Sequence, residues 1–472
     1  MTTAEATPAL TMADHADRAF LGHPKGLGYL AFTEAWERFS FYGMQTLLVL
    51  YMVKYLLLPG QVEGVFMLDA FRRLPLYNGL DGQPLASAIF GTYAACVYLT
   101  PILGGLLADR LLGKRRTVLL GAVTMAAGHF LMAFEASFLF ALLCMILGAG
   151  MFKGNIASQV GALYKPDDLR RADAFQIFYL GINAGVIASP LIVGTLGEKI
   201  GWHWGFGAAG VGMLIGLAIY VAGQKYLPAE HFEPRGKARA RAAREKRAAF
   251  SRQDWLALGA VLLLIPVMAI AIVPNNEIFN AYLIWGDERF DLVFFGTRLP
   301  TSFLVTLDAV VSVSFLAIVA LFWRWYGKRR TEPDELTKMV IGSLFSIGGQ
   351  LCLFIAASTT GADSKIGLFW PVMFHVMNSI GFAHVLPVSL ALFARLAPKA
   401  LNATVIGLYY LAFFAGNALV GKIGGLYETM PTPAFWLLHA GFAAVSGAIF
   451  LLFKLLLGRR LMHMAPPAPA TG

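Results

Sequence analysis

Charged residues are scarce in this sequence. Asp, Glu, Lys and Arg make up 14% of its 472 residues, against about 25% in an ordinary soluble protein. Hydrophobic residues make up 57%, and the mean hydropathy is +0.63. A soluble chain of this length needs more polar surface to cover its core, and disordered, collagen-like and coiled-coil chains have other compositions. The composition therefore predicts a multi-pass membrane protein.

Cysteine is also scarce, with three residues that each lie inside an apolar run: Cys96, Cys144 and Cys352. Without a CxxC motif or a Cys/His cluster, we expect neither a disulfide framework nor a metal site. No nucleophile–base pair stands out, so we predict a protein that is not an enzyme and that needs no cofactor besides protons. Residues 1–18 lack the apolar core of a cleavable signal peptide.

Long apolar runs are what the sequence does have. A helix needs about 20 residues to cross a hydrocarbon core ~30 Å thick, and twelve runs fit. The predicted spans are 27–56, 86–109, 115–134, 138–163, 173–196, 203–226, 253–285, 303–326, 337–358, 366–395, 402–424 and 433–457. We number them as helices 1 to 12.

The positive charges sort by loop. Of the 38 Lys and Arg residues, 28 fall in segments on the side of the N-terminus and six in the opposite loops, so both termini are predicted to be cytoplasmic. The most basic segment lies at the midpoint, and we interpret it as a linker beside anionic headgroups, not as a nucleic-acid site. Two six-helix halves so joined are typical of secondary transporters. The predicted divisions are an N-terminal segment 1–26, halves 27–227 and 253–457, a linker 228–252 and a tail 458–472.

Helix 1 carries three ionisable residues, Glu34, Glu37 and Arg38. Each costs about 2.5–3.5 kcal/mol near the centre of a membrane, so they must face protein or water. With Tyr42 and Gln45 they form one stripe about 140° wide. An ion pair that only locks packing is one interpretation. However, one Arg cannot neutralise two carboxylates, and a partly protonated carboxylate suits a proton-coupled site.

Other polar residues of the first half admit two interpretations. Lys153, between glycines of helix 4, is predicted to join Glu34, Glu37 and Arg38 in one cluster, with snorkelling as the alternative. Asn183 of helix 5 either holds helices together or contacts a substrate. Tyr98 of helix 2 is a packing or a pocket residue.

Helix 7 is predicted to break at the segment Pro274-Asn275-Asn276-Glu277. Interrupted helices often line binding sites, so we expect Asn276 and Glu277 to contribute to one. The loop 57–85, predicted to be outside, could form a short hairpin or helix.

Three further ionisable residues lie in the second half. Asp308 is interpreted either as an ordinary acid at the start of helix 8 or as a functional group. His375 and His384 of helix 10 either titrate or serve as hydrogen-bonded structural residues.

The segment between helices 2 and 3 has an acid and a base, Asp109 and Arg110, at the predicted cytoplasmic edge, and Gly104 and Gly105 allow close helix contact. This spacing resembles the loop signature of the major facilitator superfamily, where it belongs to gating.

Together with helix 1, the motifs resemble the proton-dependent oligopeptide transporter family of that superfamily. The matching segments are ExxERFxxYG at 34–43, FKxN-like residues 152–155, FYxxINxG at 178–185, WHWGF at 202–206 and Ala-Pro-Lys at 397–399. The resemblance is stronger before residue 227.

This resemblance implies an all-α major facilitator fold of twelve helices that imports di- and tripeptides with protons, by alternating access of its halves. It implies proton coupling by the helix 1 cluster, with Lys153 as salt-bridge partner and contact for the peptide carboxylate. The residues implied or expected in the pocket are Tyr42, Gln45, Tyr98, Lys153, Asn183, Asn276 and Glu277. The resemblance also implies a bacterial inner-membrane protein, and we expect it to work as a monomer among lipids.

The sequence departs from the family at the peptide's amino end. Many members have an Arg where Gln45 stands, and Phe382 occupies the place of a Glu on helix 10. Glu277 and His384 are candidate replacements. The linker leaves no room for the extra helix pair of many bacterial members. The alternatives are therefore a proton-coupled transporter of a non-peptide organic anion and, from another class, a substrate-free receptor or scaffold.

Overall fold

Twelve helices of 18 residues or more lie in the part of the chain that the structure describes. That structure is a computed structural model, and it describes residues 17–165, 168–228, 252–397 and 402–463. The helices are α1 Lys25–Tyr51, α2 Gly82–Leu107, α3 Lys114–Leu131, α4 Phe138–Ala162, α5 Arg170–Ser189, α6 Trp202–Gly223, α7 Arg252–Ala271, α8 Phe303–Gly327, α9 Glu335–Thr359, α10 Phe369–Leu396, α11 Asn402–Gly424 and α12 Thr432–His463. The predicted spans agree with these bounds to within a few residues, except where helix 7 breaks and where α5 continues as π-helical turns to Ile200.

Ten of the described helices are long and apolar enough to cross a membrane. The two others are α1 and α3. The first carries the charges of the predicted cluster, and the second begins with Lys114, Arg115 and Arg116. Helix α12 also runs past the predicted limit of the last span at residue 457.

The predicted break in helix 7 is confirmed. Helix α7 ends at Ala271 and is followed by the short segments Val273–Asn276 and Glu277–Phe279 and by a helix at Ala281–Arg289. Proline removes a backbone donor at position 274, and Asn280, with φ −126° and ψ −114°, stands outside helical geometry.

Two smaller features lie between the long helices. The loop 57–85 contains a 3₁₀ turn at Val62–Gly64 and a helix at Leu68–Arg72, so the helical alternative is the one observed. The sequence did not predict a two-stranded hairpin of β1 Val293–Phe294 and β2 Thr297–Arg298. Its turn includes Gly296 at φ 76°, in the left-handed region that favours glycine.

The described residues cluster into two compact units. The first contains residues 17–47, 64–66 and 100–228, and the second contains 48–63, 67–99, 252–397 and 402–463. The end of α1 and the first part of α2 thus belong with residues beyond the linker, most of which lies outside the described residues.

Contacts inside the second unit explain this grouping. Lys54 Nζ lies 2.7 Å from Asp287 Oδ2. The backbones of α2 and α11 touch at Gly91 and Gly421. A Cβ added at Gly91 would lie 2.3 Å from the Cα of Gly421.

A similar contact holds α2 to α4 inside the first unit. A Cβ added at Gly104 would lie 2.0 Å from the carbonyl oxygen of Gly150, whereas one added at the neighbouring Gly105 would meet no atom within 4 Å. Backbone contact of this kind needs small residues at the helix interface.

We expect Gly104→Ala to lower the melting temperature of the purified protein, because forced overpacking costs about 1–3 kcal/mol. Gly105→Ala is the matched control and should leave stability unchanged or raise it by up to about 1 kcal/mol through helix propensity. Equal shifts for the two variants would contradict the packing argument.

Candidate functional site

Two buried carboxylates of α1 share one arginine. Arg38 Nε lies 3.0 Å from Glu34 Oε1 and 2.5 Å from Glu37 Oε2. The three residues are at most 8% exposed, and Glu37 is 0% exposed. The helical spacing brings Glu34 and Arg38 to one face, one turn apart. A single positive charge therefore pairs with two acids in an almost fully buried place.

Lys153 of α4 contacts α1 at the aromatic ring of Phe41. Its Nζ lies 3.7 Å from the ring centroid of Phe41, a cation–π geometry. Among the described residues, no carboxylate oxygen comes within the 4.0 Å ion-pair limit of Lys153. The direct salt bridge expected for Lys153 is thus not among the ion pairs of the described residues.

The other predicted substrate-binding residues of the first unit are half-buried. They include Tyr42, Gln45 and Asn183. The Asn183 amide donates to the carbonyl oxygen of Tyr179 at 2.8 Å, within its own helix, so this bond does not join two helices. The predictions that these residues bind a substrate remain predictions.

The predicted gating residues Asp109 and Arg110 are exposed and lie in a π-helical turn, Ala108–Leu112, that follows α2. The described residues contain no ion pair to either of them. Gly113, at φ 79°, ends the turn in the left-handed region. Their gating role is likewise a prediction.

The second unit has a pocket beside the break in helix 7. Its lining includes Asn275 and Asn276 of the broken segment, Asn378 and Phe382 of α10, and Phe413 of α11. None of its lining residues carries a charge. Phe382, at the place where the family carries a Glu, thus faces a pocket without a carboxylate.

A row of side-chain amides crosses this pocket. Asn378 donates to Asn275 at 2.8 Å, Asn275 to Asn276 at 3.4 Å, and Asn276 to Asn417 at 3.1 Å. Asn417 donates in turn to the carbonyl oxygen of Phe413 at 2.8 Å. The sequence pointed to Asn276 but not to Asn378 or Asn417, which lie on helices far along the chain.

Two candidate replacements for the missing acid lie elsewhere in this unit. Glu277 is 0% exposed and accepts from Asn280 and from the backbone of Ala281. His384 accepts from Trp323 Nε1 at 3.1 Å, while its Nδ1 lies 2.8 Å from the carbonyl oxygen of Ile380. Neither side chain lines the pocket. Tyr98 lies near it and stacks on Phe413 at 5.0 Å between centroids.

Asp308 is a partner of His375, and the interpretation as an ordinary acid at a helix start was wrong. It is the sixth residue of α8, and its Oδ1 lies 2.9 Å from His375 Nδ1. The other ring nitrogen lies 2.8 Å from the hydroxyl of Tyr282. The sequence could not find this trio, because its members come from three separate helices. No group of three potential metal ligands occurs in the described residues.

Comparison with known proteins decides the family. The chain is 30% identical to the uncharacterized transporter YclF of Bacillus subtilis (strain 168), over 94% of this chain and 96% of that protein. A family model described as the POT family matches residues 115–253. The chain belongs to the POT family. It is therefore a multi-pass integral membrane protein, as its composition predicted.

Two peptide transporters among the similar proteins support this assignment. The peptide transporter YePEPT of Yersinia enterocolitica subsp. palearctica serotype O:3 (strain YE-P4) is 29% identical, over 86% of this chain and 89% of its own. The crystal structure of a peptide transporter POT in complex with sulfate has a TM-score of 0.81 at 28% identity, over 95% of this chain and 97% of that chain. The predicted major facilitator fold and POT membership are confirmed.

We expect Arg38→Met to destabilise this POT protein by about 3–5 kcal/mol, because it leaves buried carboxylates without a counter-charge. Lys153→Met is the matched control and should cost about 2 kcal/mol or less, since it removes only a cation–π contact. Thermal unfolding of both variants checks this order. The reverse order would show that Lys153, and not Arg38, balances the acids.

Proposed function

We propose that this protein is a symporter that uses the proton gradient to import peptides or peptide-like small solutes across a bacterial cytoplasmic membrane. The observation that carries the proposal is the pair of buried carboxylates on α1 that share Arg38. Membership of the POT family and the peptide transporters among its relatives support the same conclusion. The receptor and scaffold alternatives give no reason for such a costly cluster.

The proposed cycle follows from the charge count. A proton that enters from the outside neutralises one carboxylate and leaves Arg38 paired with the other. The cluster is then electrically balanced except for Lys153, whose ammonium has no carboxylate within ion-pair distance in the described residues. Lys153 can thus pair with a carboxylate of the solute. Release of the solute and of the proton on the cytoplasmic side restores the starting charges.

Glu37→Gln should abolish uptake driven by a proton gradient and preserve counterflow exchange, because glutamine keeps the shape of the site and cannot carry the proton. The measurement is uptake of labelled solute into proteoliposomes with and without a pH gradient. The exposed carboxylate variant Glu428→Gln is the control and should behave as wild type. Gradient-driven uptake that survives in Glu37→Gln would rule out Glu37 as the proton carrier.

The pocket of the second unit favours one group of solutes. An ammonium group that leaves water without a counter-charge is strongly disfavoured, whereas an uncharged amide can bond to other amides. The pocket presents Asn275, Asn276 and Asn378 and has no carboxylate among its lining residues. This observation favours peptides with a blocked amino end, or organic anions, over peptides with a free amino terminus.

We expect an N-acetyl dipeptide to compete for uptake roughly tenfold better than the matching free dipeptide, a difference of about 1.4 kcal/mol. Phe382→Glu should shift the preference toward the free dipeptide by adding a carboxylate to the pocket, and Phe382→Gln controls for polarity without charge. Tighter competition by the free dipeptide in the wild type would contradict this substrate class.

A further inference from the structure

The second unit buries another acid next to a histidine. Glu277 and His439 are both 0% exposed. Glu277 Oε2 lies 3.6 Å from His439 Nε2, and neither atom has a hydrogen-bond partner in the described structure. This contact includes no residue of the helix 1 cluster.

The position of one ring proton is fixed by the backbone. His439 Nδ1 lies 2.8 Å from the carbonyl oxygen of Phe435. A carbonyl oxygen only accepts, so Nδ1 carries a hydrogen, and Nε2 of a neutral ring is then a bare acceptor. The other carboxylate oxygen of Glu277 already accepts from Asn280 and from the Ala281 backbone, at 3.0 and 3.2 Å.

The remaining contact needs one more proton. Without it, two lone pairs would face each other at 3.6 Å in a place closed to water, and both would lose their hydrogen bonds. A proton on either Glu277 Oε2 or His439 Nε2 replaces this repulsion with an attraction between a donor and an acceptor. The two residues therefore act as a unit that holds a single proton.

A chain of hydrogen bonds connects this unit to α2. Asn280, which donates to Glu277, accepts from the hydroxyl of Ser87 at 2.9 Å. Gln83 donates to Ser87 at 2.8 Å and to the carbonyl oxygen of Gly424 at 2.9 Å. The Gly91 contact with α11 lies on the same stretch of α2. The bonds from Ser87 and Gln83 thus tie α2 to Asn280 and to the end of α11 on the side of Glu277.

We propose that Glu277 and His439 form a second proton-binding site, separate from the carboxylates of α1, whose proton is closed off from solvent while α2 packs on α11. The proton site itself does not depend on the proposed transport activity. Only its use in a transport cycle would rest on that function.

Among the described residues, no ion pair other than their own joins Glu277 or His439 to a charged group. Residues 82–99 of α2 contain no Asp, Glu, Lys, Arg or His. The titratable groups on the neighbouring helices have partners of their own: Asp287 with Lys54 and Arg298, Glu288 with Tyr427, His375 with Asp308 and Tyr282, His384 with Trp323, Glu335 with Arg395, Glu332 with Lys338, and Asp334 with Lys454. Lys422 is exposed and Cys352 is half-buried.

Infrared difference spectroscopy of the full-length protein in lipid tests the proposal without a transport assay. Glu277→Gln is the sharpest variant, because its carbonyl can still accept from Asn280 and Ala281 while its amide donates to His439. The wild type should show a signal from a protonated carboxyl or an imidazolium. That signal should be lost in Glu277→Gln and preserved in the exposed control Glu428→Gln.

Transfer to heavy water tests the closure by α2. The wild-type signal should exchange slowly, and Ser87→Ala should speed its exchange by about tenfold or more, since it removes the bond to Asn280. If Glu277→Gln fails to fold, His439→Gln replaces it, because its amide donates to an ionised Glu277. A spectrum that no variant changes, or a wild-type signal that exchanges at once, overturns the proposal.

Discussion

The cost of placing charge in a hydrocarbon layer is the constraint on which this structure depends. Arg38 satisfies it for α1 by lying against two acids at once. Helix α5 packs directly on α1 beside this site. A Cβ at Gly185 would lie 2.3 Å from the carbonyl oxygen of Ala35. Gly185, the glycine of the FYxxINxG segment, thus lets the backbones of α1 and α5 touch close to these charges.

Local features of the fold were predictable from the sequence. The lengths of the apolar runs predicted the helices, and Pro274 predicted the break in helix 7. The stripe on α1 was also predictable, because positions on one helix are related by a fixed rotation per residue. For the same reason Glu34, Glu37 and Arg38 could be placed together with no knowledge of their surroundings.

Contacts between separate helices could not be predicted from a single sequence. His439 meets Glu277 across 162 positions, and Asp308 meets His375 across 67. Nothing in hydrophobic periodicity says which faces of two helices meet. Lys153 shows the same limit, since its place over the ring of Phe41 was not predictable from the sequence.

The two units use different polar chemistry at their candidate sites. The first places acids, a guanidinium and an ammonium side by side, whereas the pocket of the second is lined by groups that do not titrate. The proposed second proton site, Glu277 and His439, does not line this pocket. A change in the protonation of Glu277 or His439 therefore leaves the chemistry of the pocket lining unchanged.

The row of asparagines also has a direction. Each side-chain amide donates a hydrogen bond to the next one. The row ends at the carbonyl oxygen of Phe413, which cannot donate. This terminus fixes the orientation of every amide before it, back to Asn378, whose own carbonyl oxygen accepts no bond in the described structure. All hydrogen bonds of the row therefore run in one direction, from Asn378 to Phe413. At the Asn378 end, the row therefore leaves a carbonyl oxygen that can accept one further hydrogen bond.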